Sequence, residues 1–130
     1  MNSQDMIKRG FSEPVDFTEE GQNLVPNKVG VYILFRKDKE IDYPMGKSDI
    51  VKIGKCVDTG KGFSGKWHQY FKPGPNDTKN KRLLSNFRPG THCFTWLELT
   101  KEQATGAEKR LLNEFVRFHG QYPAYNTISK

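Results

Sequence analysis

Residues 29–36, VGVYILFR, constrain this chain more than any other segment. The run is built from β-branched and aromatic side chains and carries no charge until its last position, the composition of a strand buried on both faces. Such a strand has to be covered above and below, so the rest of the chain must supply partner strands and packing helices. With 130 residues there is material for one domain, and nine Phe, five Tyr and two Trp provide bulk for its core although only 35% of residues are apolar.

Several partner elements are legible. Ile50, Val51, Lys52, Ile53 and Gly54 read as a second strand, reached through a polar excursion over residues 37–49 and expected to pair with the first. Residues 63–71 predict a short helix with Phe63, Trp67 and Tyr70 on one face, ended by Lys72, Pro73, Gly74 and Pro75. Residues 77–87 predict another, with Leu83, Leu84 and Phe87 inward and the lysines outward, before Pro89 and Gly90. HCFTWLEL at 92–99 reads as a third strand. The clearest helix starts at Thr100, where Thr100 and Gln103 form a T-x-x-Q capping box, and runs to Phe118 before Gly120. Residues 1–28, broken by Pro14 and Pro26, predict an N-terminal arm or short helix ahead of a core at 29–127, in a single domain spanning 1–130. The expected class is α+β, a small three-stranded sheet flanked by helices.

Lys and Arg number 21 against 15 acidic residues, a formal charge of +6, which favours a polyanionic partner without identifying one. Cys56 and Cys93 are too few for a disulfide framework and form no C-x-x-C pair, so they read as reduced packing residues. The longest apolar run, residues 31–35, is far too short to cross a bilayer, and the N-terminus lacks the apolar centre of a signal peptide. A soluble, cytoplasmic protein with no membrane partner is expected.

Some polar side chains interrupt these apolar patterns. In the last helix Ala104, Ala107, Leu111, Leu112, Phe115 and Phe118 form a stripe at helical spacing, and Glu108 falls inside it. An unpaired buried carboxylate costs several kcal/mol, so Glu108 either pairs with a basic side chain at the stripe's edge or serves a site. Lys52 interrupts the second strand on the face opposite Val51 and Ile53, and Tyr32 points away from Val31, Ile33 and Phe35. If the strands are neighbours, a phenol and an ammonium share one face; the plainer alternative is an edge lysine beside a packed tyrosine. Lys66 and Tyr70, four apart on the short helix, add a second cation and a second phenol. Together these groups suggest a site that handles phosphate.

The motifs GVY at residues 30–32 and KIG at 52–54, the helix at 63–71, Glu108 within AEKRLL and the terminal YPAYN ending at Asn126 occur in one order along the chain. In that order they resemble the GIY-YIG endonucleases, in the variant where lysine replaces the second tyrosine, over residues 29–127. The resemblance implies a three-stranded antiparallel sheet and hydrolysis of DNA phosphodiesters with one Mg²⁺ or Mn²⁺ ion. Carried over by position, Tyr32 helps activate the attacking water, Lys52 lowers the pKa of that tyrosine or holds the water, and Tyr70 contacts the scissile phosphate. Glu108 binds the metal, which stabilises the leaving 3′ oxygen, while Gly30, Gly54 and Asn126 support the site. Ionising a tyrosine at pH 7 takes about 4 kcal/mol, which is why a neighbouring cation is needed. The sequence departs from the family where an arginine is usual on the short helix and Lys66 stands instead, which cannot make a bidentate phosphate contact; Arg82 or Arg88 are the guanidinium groups nearby in sequence. The loop between the signature strands, with Tyr43, Pro44 and Met45 near its middle, is also longer than usual.

Lys72, Lys79, Lys81, Arg82 and Arg88 against the single acid Asp77 make residues 72–90 the densest basic stretch, suited to phosphates flanking a scissile bond. The expectation is therefore a small, phage-like or restriction-type endonuclease acting on DNA, or on RNA, as a monomer or a homodimer. The alternatives are a catalytically inactive nucleic-acid-binding protein on the same fold and a basic interaction protein with no nucleic-acid role.

Overall fold

The computed structural model describes residues 1–58 and 60–126; Thr127, the last residue of the expected core, lies outside them. In chain order the elements are α1 (Ser3–Lys8), β1 (Val15–Asp16), a 3-10 helix (Glu19–Leu24), β2 (Gly30–Arg36), β3 (Ile41–Asp42), β4 (Lys47–Ser48), β5 (Ile50–Cys56), α2 (Gly62–Phe71), α3 (Thr78–Leu84), β6 (His92–Glu98), α4 (Lys101–His119) and a 3-10 turn (Ala124–Asn126). The class is α+β, as expected. The main sheet has four strands in the order β1-β6-β2-β5, every pair antiparallel, and β3 and β4 form a separate two-stranded sheet. The added strand is short: Val15 and Asp16 pair with Phe94 and Cys93 at an edge that the three-strand expectation left open. Pairing over two residues leaves no period to read, which is why it was not foreseen.

Strand β2 lies between β5 and β6, and each residue from Gly30 to Phe35 is buried, as its composition requires. Tyr32, Leu34 and Phe94 face a cluster that includes Phe63, Trp67 and Tyr70 from α2, Leu83 from α3, Phe87 and Phe17. Val31, Ile33, Phe35, Ile50 and Ile53 face Ala104 and Phe115 of α4, with Met6, Phe11 and Tyr43. The sheet is thus a middle layer with α2 and α3 on one side and α4 on the other. Burying an aromatic side chain such as Phe94 contributes roughly 1.5–3 kcal/mol, so these two clusters dominate the fold. Trp67 keeps its indole N–H satisfied by donating to the Thr18 carbonyl at 2.8 Å.

Helix α4 starts as its capping box dictates: Gln103 N–H donates to Thr100 Oγ1 at 3.2 Å and Thr100 N–H donates to Gln103 Oε1 at 3.0 Å. It ends at Gly120, whose φ of 82° is the left-handed conformation that glycine tolerates. Its buried face differs from the expected stripe, for Phe118 is 53% exposed and His119 takes the inward place. The His119 ring nitrogens lie 2.9 Å from the Met45 carbonyl and 3.1 Å from the Met1 carbonyl, contacts that let a polar ring pack at a helix end. On α3 Leu83 is buried, but Leu84 is exposed and Lys79 is half-buried one turn before Leu83, so the lysines do not all point outward.

The polar excursion carries the β3–β4 hairpin. Tyr43 is buried within it, donates its hydroxyl to the Ile50 carbonyl at 2.7 Å and accepts the Ala124 N–H at 3.0 Å, tying the long loop to β5 and to the C-terminal turn.

Candidate active site

Strand β5 is the outer strand on this side of the sheet, and the candidate residues gather along it. Its pairing with β2 sets Gly54 opposite Tyr32 and Lys52 opposite Leu34, with a bulge where the register shifts between Leu34 and Phe35. The bulge corrects the expected alternation. Val51 joins the same cluster as Tyr32 and Leu34, whereas Ile50 and Ile53 face α4, so Lys52 lies opposite Ile53 but not opposite Val51.

Two glycines make room for this arrangement. A Cβ on Gly54 would collide with the Tyr32 ring and hydroxyl, so the missing side chain lets that phenol lie across β5. Gly30 holds a φ of 154° with its Cα against the Leu97 carbonyl and the Phe63 ring, where a Cβ would not fit. Asn126 grips β5 from the C-terminal turn: its Nδ2 donates to the Ile53 carbonyl at 2.9 Å and its Oδ1 accepts the Ile53 N–H at 3.0 Å. That two-pronged bond fixes the strand between Lys52 and Gly54.

The hydroxyls of Tyr32 and Tyr70 are hydrogen-bonded at 2.7 Å in the interior. Burial pushes the Tyr32 hydroxyl well above the usual tyrosine value, and Tyr70, Cys56 and Glu108 push the same way. Burial raises Tyr70 as well. The raised value runs against the expectation that Lys52 lowers the Tyr32 pKa, because burial of the phenol outweighs any other influence on it; the alternative, that Lys52 holds the water, is separate from this shift. Lys52 as a whole is only 7% exposed. Burial first, then Lys79 and Lys66, drive its pKa down to about 7 against the opposing Glu108 carboxylate. Two like charges about 4 Å apart repel by roughly 4 kcal/mol at an effective dielectric near 20, so an ammonium held against another sheds its proton readily.

Lys66, half-buried, stands one helical turn before Tyr70 on α2, and Lys79 reaches Lys52 from α3. Two phenols and three lysines from β2, β5, α2 and α3 thus lie on one side of the sheet. Glu108 comes from α4, beyond the sheet, and its charge is felt by both Tyr32 and Lys52. It is half-buried at the edge of its stripe and lines a groove of about 340 Å³ with Lys55, Lys109, Leu112 and Tyr122. No ion pair joins Glu108 to another described residue, so the alternative of a carboxylate neutralised by a basic partner does not describe it. Among the described residues no three His, Cys, Asp or Glu side chains form a metal cage. A single free carboxylate beside an anion site still suits Mg²⁺, which keeps several waters and takes its other ligands from substrate phosphate.

The remaining cations of the basic stretch divide. Lys72 pairs with Glu19 at 3.5 Å and Lys81 donates to the Pro75 carbonyl at 2.8 Å, while Arg82 and Arg88 are exposed. The charges acting on Lys52 are those of Lys79, Lys66 and Glu108, so Lys79 rather than an arginine supplies the additional cation beside it. Sequence reading placed Lys79 among flanking contacts; its spacing of four from Leu83 was the signal that it faces inward. Lys55, Lys109 and Tyr122 were not singled out, because only the folded chain brings them beside Glu108. No family model, curated protein or solved structure matches this chain.

Proposed function

We propose that the protein is a metal-dependent endonuclease of the GIY-YIG type that hydrolyses phosphodiester bonds in DNA. The observation that carries this reading is the hydrogen-bonded Tyr32–Tyr70 pair on the same face as Lys52 at an edge of the sheet, with the charge of Glu108 acting on both Tyr32 and Lys52 from α4. Lysines at the mouth of a buried phenol pair bind and orient a phosphodiester, and a phenol hydroxyl positions the attacking water by hydrogen bonding. With Tyr32 held above its usual range the phenol acts as a neutral hydrogen-bonding group, and a bound phosphate favours the protonated form of the Lys52 amine. Glu108 would hold the Mg²⁺ or Mn²⁺ ion, which when bound supplies Lewis-acid stabilisation of the leaving oxygen. Asn126 and Gly54 keep β5 and the Tyr32 ring in register.

The test is incubation of the full chain with supercoiled plasmid in Mg²⁺, in Mn²⁺ and in chelator. Metal-dependent conversion to nicked circles supports the reading. Salt-sensitive binding with no cleavage in either metal overturns it in favour of an inactive nucleic-acid-binding protein, for which the lysines in place of a guanidinium already argue. Absence of binding at low salt overturns both.

A further inference from the structure

Lysines on a protein surface ordinarily spread apart, and most of the basic stretch after α2 behaves so: Lys72 is drawn to Glu19 and Lys81 to the Pro75 carbonyl. Lys79 does the opposite. It sits on the inward face of α3, four residues before the fully buried Leu83, and that leucine packs in the cluster holding Tyr32, Tyr70 and Val51. From there Lys79 acts on Lys52, a residue only 7% exposed on the strand beneath, as Lys66 does from α2. Three lysines from three elements thus lie on the face of the sheet that carries the Tyr32–Tyr70 pair, and the carboxylate that acts on Lys52 is Glu108. A fold that turns Lys79 inward toward Lys52 and Lys66, when α3 has an exposed face for it, is arranged for an anion bearing several oxygens. Ammonium groups suit that anion as point charges that tolerate many orientations, unlike the planar fork of arginine.

We infer that Lys79 is a substrate-binding residue which, with Lys52 and Lys66, grips the scissile phosphate itself, so that α3 is a wall of the active site rather than a flanking contact. The assignment rests on the endonuclease reading of this site and specifies which group holds the reacting anion. It also accounts for the departure at Lys66: two lysines on two helices do the holding for which one arginine is usual in the family that the sequence resembles.

The probe is inorganic phosphate, titrated into the full chain at low ionic strength without metal and followed by NMR at the lysine Cε–Hε signals. Saturable shifts are expected at Lys52, Lys66 and Lys79, with affinity falling at least tenfold in Lys79→Gln, little changed in Lys81→Gln and largely recovered in Lys79→Arg. Thermal unfolding of each variant shows that it is folded. Equal phosphate affinity in Lys79→Gln and the parent chain would overturn the inference, as would shifts confined to lysines outside this trio. The two readings also fail separately. Lys79-dependent phosphate binding with no metal-dependent cleavage upholds the cradle and removes the nuclease, whereas cleavage with unchanged KM and kcat in Lys79→Gln upholds the nuclease and removes the cradle.

Discussion

Replacing Lys52 by methionine should stabilise the protein while destroying its activity. Lys52 falls from 10.5 in the unfolded chain to about 7 in the fold, with burial the largest cause and Lys79 the next. Between those values the unfolded chain binds the proton and the folded chain does not, so stability rises with pH through this window. From about pH 7 to about pH 8.5 the gain is about 1.5 kcal/mol. The window is clean on both sides. Burial raises the Cys56 and Cys93 thiols from 9.0 to about 12 and about 11, so they begin to remove stability only at higher pH, and the lowered value of His92 acts only at lower pH. Methionine fills a similar volume without a charge, so Lys52→Met abolishes the slope and exceeds the parent chain at pH 7 by about 2–4 kcal/mol, within the nearly 5 kcal/mol ceiling of a 3.5-unit shift. Urea unfolding of both proteins at the two pH values measures this directly. An unchanged pH slope in Lys52→Met, or a variant less stable than the parent chain at pH 7, would refute the assignment of Lys52 as a buried, strained cation.

Gly54→Ala drives a Cβ into the Tyr32 ring, and overpacking of this kind costs about 1–3 kcal/mol; the tyrosine is displaced, so plasmid nicking falls more than the melting temperature alone explains. Asn126→Ala removes both bonds to Ile53, and a loss of about 1–3 kcal/mol in urea unfolding is expected together with reduced cleavage. His92 is bonded to Tyr125 and Thr91 and lies at about 4 in the fold, chiefly through burial, against 6.5 unfolded. Stability attributable to it is complete above pH 6.5 and is lost as pH falls toward 4, by about 3 kcal/mol in all; unfolding of His92→Gln across that range should show a shallower acid limb.

The parts legible in the sequence are those whose signal is local and repeated. Strand β2 announced its double burial through an unbroken apolar run, α2 through the spacing of Phe63, Trp67 and Tyr70, and α4 through a capping box and a terminal glycine. What remained hidden depends on partners distant in sequence. The bulge at Val51 exists only because β5 must follow β2 past Phe35, and β1 exists only because β6 offers an edge to two residues. His119 was passed over as polar, yet two distant carbonyls give its ring a place in the interior that Phe118 does not take. In the site, the pairing of Tyr32 with Tyr70 and the inward turn of Lys79 follow from α2 and α3 packing together on one face of the sheet. The same packing reverses the expected effect on Tyr32, since burial of the phenol disfavours its ionised form.

The central claim is tested most directly by separating binding from cleavage in Glu108→Ala. Glu108 is half-buried and joined by no ion pair to a described residue, so its removal leaves the fold and the lysine cradle in place. Equilibrium binding of a labelled DNA duplex is then expected to stay within about threefold of the parent chain, while single-turnover cleavage in Mg²⁺ falls by about a thousandfold or more, as the metal-binding role proposed for Glu108 requires. Cleavage by Glu108→Ala at the parental rate would contradict the account.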